Sequence, residues 1–216
     1  MTADAALSAP VLFYAAVLVL AAWGALMALR GDFWRAEQRL VEGEFQPDRW
    51  PTIAVVVPAR NEADVIEEAL LSISGQDYEG DIRVFLVDDR SDDETAHLAR
   101  RVPGVTVVSA SDTPPGWTGK LWAVSQGLAA AEEAGVPAEY FWLTDADIAH
   151  HPGELASLVA GSEHSGLDLN SLMVRLRIDR LWDVLLIPAF VFFFQKLYPF
   201  SWVNDPARKT AAAAGG

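Results

Sequence analysis

Hydrophobic and polar positions follow three different rhythms along this chain. The first rhythm is unbroken: Val11 to Leu29 is a nineteen-residue apolar run, and no charge falls between Asp4 and Arg30. At 1.5 Å per residue such a run spans roughly 28 Å, about one hydrocarbon core. It predicts a transmembrane helix. A cleaved leader is the rival reading, but Asp4 precedes the run and no Lys or Arg does, the reverse of a leader's charge. Arg30, Arg35 and Arg39 follow it. The positive-inside rule then puts the N-terminus outside and the rest in the cytoplasm, at the inner (plasma) membrane.

From Thr52 the rhythm changes to short apolar runs alternating with 3.6-residue periodicity. Thr52 to Val57 is β-branched and continuous, as in a strand buried on both faces. Val65, Ile66, Ala69, Leu70 and Ile73 then line one face of a helix, which Gly75 stops. Ile82 to Val87 is a second strand. Ser91-Asp92-Asp93-Glu94 reads as a capping box opening a helix to about Arg101. Val105 to Val108 is a third strand, and Leu121, Val124, Leu128 and Ala131 mark the next helix. Tyr140 to Leu143 is a fourth strand, a helix follows over 153–162, and Leu172 to Leu176 is a further strand. Strand and helix alternate, so the class is α/β with a mainly parallel sheet flanked by helices.

The third rhythm is a second apolar run, Val184 to Phe194, interrupted by Pro188. Eleven residues are short for a span. Trp182, Tyr198 and Trp202 flank the run, and such rings favour headgroup level, so an interfacial or re-entrant helix is expected, with a buried core helix as the alternative. The organisation expected is an anchor over 1–30, a juxtamembrane linker over 31–51, a core over 52–176, an interfacial segment over 177–205 and a tail over 206–216.

Composition narrows the function. At 216 residues the chain can bury one full core. A net charge of −14 repels nucleic-acid phosphates and anionic lipid, so nucleic acid is excluded as a partner and membrane contact should be apolar. With no cysteine, disulfides, thiolate nucleophiles and Cys-based metal sites are excluded.

Candidate chemistry gathers at strand ends, where open α/β sheets bind ligands. Asp145 and Asp147 follow the fourth strand two residues apart, so both carboxylates can face one hard cation such as Mg²⁺ or Mn²⁺. The alternative is that either Asp caps a helix. Asp88-Asp89 ends the second strand, and one of the pair should face the crevice. Pro58-Ala59-Arg60-Asn61-Glu62 ends the first strand and flanks the same crevice if strands one and four are neighbours. Gly116-Trp117-Thr118-Gly119-Lys120 lacks the spacing of a phosphate loop, yet Lys120 at a helix start is placed to meet an anion. His150 and His151 follow the acidic pair as a possible third ligand or as polar loop residues.

The motifs V-V-V-P-A-R-N-E, V-D-D-R-S-D-D-E-T, G-K-L-W-A and T-D-A-D, in this order, resemble family 2 glycosyltransferases of the GT-A (Rossmann-like) fold. The resemblance covers Thr52 to Asp147. Pro114 to Ala123, the N-terminal anchor and the Phe-rich segment resemble the hopanoid-biosynthesis-associated membrane members. It implies a nucleotide-diphospho-sugar donor, UDP-linked by expectation, a lipid hydroxyl acceptor and an inverting, divalent-metal-dependent transfer. It assigns Pro58, Ala59, Asn61, Glu62, Asp89, Lys120 and Asp145 to the nucleotide sugar and Asp147 to the metal. It assigns no catalytic base: the family's acceptor-side carboxylate motif is absent, so the chain is expected to be a C-terminally truncated fragment with the base beyond residue 216. Two rivals stay open, a non-catalytic nucleotide-sugar-binding membrane module and a phosphoryl-accepting receiver domain.

Overall fold

A computed structural model describes residues 3–40, 43 and 45–213. The last three residues of the expected tail, 214–216, lie outside the described residues. The elements are α1 (Ala3–Leu29), β1 (Ile53–Ala59), α2 (Ile66–Ser74), β2 (Ile82–Asp88), α3 (Thr95–Ala99), β3 (Val105–Ser109), α4 (Gly119–Glu133), β4 (Tyr140–Leu143), α5 (Glu154–Ser165), α6 (Leu181–Leu197) and α7 (Phe200–Val203). The chain divides into two compact units. One is the chain up to Arg39 with Arg175–Ala212; the other is built on Leu40–Val174.

The Leu40–Val174 unit holds a parallel sheet in the order β3-β2-β1-β4. β1 is central, and its two faces explain its continuous apolar run. Ile53, Val55, Val57 and Ala59 pack with Ile66, Leu70 and Ile73 of α2 and Leu155 and Val159 of α5. Ala54 and Val56 face the other way, towards Ala131 and Ala123 of α4. Helices therefore cover both faces, as a parallel sheet requires. On the α4 face the approach is close: a Cβ on Gly127 would lie 2.4 Å from Val56 Cγ1.

Two local expectations are corrected. Leu172 to Leu176 forms no strand; Met173, Val174 and Leu176 are over a third exposed and unpaired with the sheet. Arg175 breaks its apolar run, and the boundary between the two units falls within it. Nor does Ser91 cap a helix. α3 begins at Thr95, whose N–H is taken by Asp93 Oδ1 at 3.0 Å. Ser91 Oγ instead accepts the Asn61 N–H at 3.0 Å. Asn61 has a φ of +56°, and its turn leaves that N–H without a ladder partner.

In the other unit, α1 contains a 21-residue apolar stretch, Ala9–Leu29, with none of its span buried. The Phe-rich run is longer than the sequence pattern indicated: α6 covers seventeen residues, with Pro188 inside it. With α7 it forms the second segment long and apolar enough to cross a membrane.

Candidate active site

The strand order puts the carboxyl ends of β2, β1 and β4 side by side, so the three acidic segments leave the sheet at the same edge. Pro58 pairs in register with Val87 and Ala59 with Asp88. The Ala59 carbonyl accepts the Asp89 N–H at 2.8 Å, which locks the first loop to the second.

The two aspartates at the end of β2 point to different tasks. Asp88 Oδ1 accepts the Ser91 N–H at 3.4 Å and so shapes the turn. Asp89 is buried, and its carboxylate meets Arg90 at 3.3 Å and Arg60 at 3.7 Å. Its other neighbour is the start of α4. A Cβ at Gly119 would lie 2.7 Å from Asp89 Oδ2, so only glycine leaves this carboxylate its position. Thr118 caps α4 by accepting the Leu121 N–H, which sets Lys120 in the first turn. Lys120 Nζ then reaches Asp145 Oδ1 at 2.5 Å.

Ala146 is buried in the core, and Asp145 and Asp147 flank it, one half-buried and one exposed. Neither caps a helix, because α5 starts later, after Gly153. Burial first, then the charges of Asp147, Asp93 and Asp145, holds the Glu62 carboxyl above its ordinary value. Glu62 therefore shares an electrostatic environment with the Asp-x-Asp pair, although 83 and 85 positions of sequence separate it from Asp145 and Asp147. Asn61 braces the site: its Oδ1 accepts the Asp92 N–H at 2.8 Å.

Among the described residues, no three His, Asp or Glu side chains stand together as a ready ligand set. Two carboxylates, with water and ligand phosphates completing the shell, still suit Mg²⁺ or Mn²⁺, which rarely takes an all-protein cage. A divalent cation between the two carboxylates would offset their negative charge. Asp145 and Asp147 are the residues that would hold it.

His150 is no third ligand. Its side chain is 4% exposed, with Nε2 2.9 Å from Thr144 Oγ1 and Nδ1 3.2 Å from Glu154 Oε2. Its N–H donates to Ser72 Oγ at 3.0 Å. It braces the Asp-x-Asp loop from below. The hydrogen bond from His150 is the main reason that the Glu154 carboxyl sits below its ordinary value. The i,i+4 spacing of His150 and Glu154 was the one available signal for this brace, and Gly119 beside Asp89 left none.

A parallel sheet wrapped by helices, with acidic segments at the carboxyl ends of its strands, is a GT-A-like core. Comparison with known proteins agrees. Residues 54–198 match Glycosyl transferase family 2, and the chain belongs to that family. It is 38% identical over 76 residues to the 4,4'-diaponeurosporenoate glycosyltransferase of Staphylococcus aureus strain USA300, and 41% over 78 residues to that of strain bovine RF122/ET3-1. These matches cover 35% and 36% of this chain and 20% of each relative, so the similarity spans a fifth of the relatives' length. The mannosyltransferase PcManGT from Pyrobaculum calidifontis, solved with GDP-Man and Mn²⁺, is similar in structure with a TM-score of 0.51 and 29% identity. That likeness covers 68% of this chain and 43% of PcManGT.

Proposed function

We propose that this chain carries the donor site of a membrane-bound glycosyltransferase that moves a sugar from a nucleotide diphosphate to a lipid hydroxyl with inversion. The observation that carries the reading is the meeting of Asp89, Lys120, Asp145 and Glu62 at adjoining strand ends, with Asp147 beside them. The Lys120–Asp145 ion pair links α4 to the end of β4, and Asp89 lies against the residue before Lys120. Pro58, Ala59 and Asp89 would hold the base, Asp145 the ribose and Lys120 the diphosphate. Asp147, with Asp145, would hold Mg²⁺ or Mn²⁺, which offsets charge on a leaving diphosphate when bound. Asn61 and Glu62 shape the donor pocket, Asn61 through the loop it braces.

PcManGT, bound to GDP-Man and Mn²⁺, supports a nucleotide sugar and a divalent metal. The uracil preference rests on the resemblance in the sequence. A lipid acceptor is supported by the two long apolar helices, and its hopanoid type rests on the resemblance carried by Pro114 to Ala123, the N-terminal anchor and the Phe-rich segment. The same helices support a membrane anchor, and Arg30, Arg35 and Arg39 after α1 support residues 40–174 on the cytoplasmic side of the inner membrane. None of the carboxylates described is assigned as the acceptor's base.

Thermal unfolding of the detergent-solubilised chain tests the donor site. UDP or GDP at a hundredfold excess over its Kd should stabilise the fold by about 2.7 kcal/mol, and Mn²⁺ should add to the shift. Asp147→Asn should remove the Mn²⁺-dependent part and keep the rest. A variant that retains the metal effect shows that Asp147 is not a ligand. No shift with either nucleotide removes the donor site.

A further inference from the structure

We infer that α6 lies within a single leaflet of the membrane, with both ends on the side where α1 ends, and does not cross. The inference rests on the proposed reading of α1 as a span.

The geometry of this unit ties the two helices together at one end. Arg30, the first residue after α1, donates from Nε to the Lys196 carbonyl at 3.0 Å and from Nη2 to the Leu197 carbonyl at 2.8 Å. Those are last-turn carbonyls of α6, which lack partners within the helix. Lys196 Nζ sits 5.7 Å from the Trp23 ring. Phe192 packs on Trp23 at 6.4 Å and on Phe33, itself buried, at 5.2 Å. Trp202 of α7 lies under the Arg30 guanidinium at 4.9 Å. The carboxyl end of α6 is thus fixed beside the carboxyl end of α1.

Connectivity fixes the other end. Among the described residues, α1 and the α6–α7 segment are the stretches long and apolar enough to cross. If α1 spans, everything from Leu40 to Arg180 stays on the side where α1 ends. Leu181 therefore enters α6 from that side, and Leu197 finishes on it. A helix with both ends on one side has not crossed.

Charge points the same way. The positive-inside rule makes a spanning helix asymmetric in Lys and Arg. Here Arg175, Arg177 and Arg180 precede α6, and Lys196, Arg208 and Lys209 close or follow it. Residues 1–39 and 175–212 together carry nine Lys and Arg against six Asp and Glu, a net of +3, although the whole chain is −14. The repulsion of anionic lipid expected from net charge therefore does not apply to this unit. Cations at both ends suit anionic headgroups.

Lipid is the occupant that the helix surface fits. Leu181, Leu185, Leu186, Phe190 and Phe193 are each more than half exposed. Seventeen residues make a helix about 25 Å long. It has no polar face along its middle, so the body sinks below the headgroups while Asp183 and Lys196 keep the ends near water. Pro188 removes a mid-helix hydrogen bond and lets the centre bend inwards.

The chain has no cysteine, so single cysteines report topology without background. Asp179→Cys, Ala207→Cys, Asp48→Cys and Ala5→Cys are each placed in the full chain, in sealed membrane vesicles of either orientation, and treated with a membrane-impermeant maleimide. Asp179→Cys, Ala207→Cys and Asp48→Cys should label from one side, and Ala5→Cys from the other. Leu185→Cys and Phe190→Cys should lose labelling from both sides until detergent is added. Labelling of positions 179 and 207 from opposite sides means that α6 crosses and overturns the inference. So does aqueous labelling of positions 185 and 190, or labelling of positions 5 and 48 from the same side. None of these readouts involves a nucleotide, so their failure is distinct from failure of the donor site.

Discussion

The contact between Asp89 and residue 119 shows how a missing side chain can set the position of a strand-end carboxylate. With a Cβ at 2.7 Å from Oδ2, the carboxylate would have to turn, and its pairs with Arg60 and Arg90 would turn with it. Gly119→Ala should therefore lower UDP or GDP affinity about tenfold, near 1.4 kcal/mol, while thermal stability without nucleotide stays close to the parent's. Titration calorimetry of both proteins checks this, and equal affinities would show that Asp89 does not face the nucleotide. The acidic residues themselves were legible in the sequence, because strand-end carboxylates follow a short apolar run. Gly119 was not, since its role depends on a residue thirty positions away brought close by the parallel pairing of β1 and β2 and the packing of α4. Asn61 stood out in the sequence by its place at the end of the first strand, but not as the brace that takes the Asp92 N–H.

At the scale of elements, the connection from β4 to α5 carries the Asp-x-Asp pair, and one buried side chain holds it. His150 links Thr144 at the end of β4 to Glu154 at the start of α5. It also packs edge-on against Trp142, with ring centroids 4.6 Å apart. His150→Ala would remove both hydrogen bonds and leave a cavity, at a cost of about 2–4 kcal/mol. It would also loosen the loop that presents Asp145 and Asp147. The expected outcome is a lower unfolding midpoint together with a smaller Mn²⁺-dependent part of any nucleotide stabilisation. A purely structural histidine would lower the midpoint and leave the metal dependence alone. The strands that build this region were legible because each is a short apolar run bounded by turn residues, and β1 is apolar on both faces. Elements set by competition were not. Ser91 had two N–H groups to choose between, and the turn at Asn61 took it, while Asp93 capped α3. The run from Leu172 was apolar enough for a strand, but neither edge of the sheet paired with it.

At the scale of the molecule, acidity sets how stability responds to pH, and opposing groups have to be weighed. The Arg49 guanidinium hydrogen-bonds the Glu139 carboxylate and holds it down to about 2. Asp93, bound by Thr95, is also held below its ordinary value, as is Glu154 by His150. A carboxylate depressed by folding adds stability above its unfolded value, and that stability is lost as pH falls towards its folded value. Glu62 acts in reverse: its raised carboxyl costs stability once ionised, and acid relieves that cost. Self-repulsion of a chain with a net charge of −14 also weakens as carboxylates protonate. Mild acidification from neutrality therefore relaxes repulsion while the Arg49–Glu139 pair is intact, and the loss begins below the ordinary carboxylate range. Arg49→Gln isolates this pair. It should lower the thermal midpoint at neutral pH, and the gap from the parent should close as pH falls towards about 2. Both partners are exposed, so added salt should shrink the neutral-pH gap as well. A gap that persists unchanged at the acid limit would mean that Arg49 acts through packing of the 45–51 segment and not through its charge.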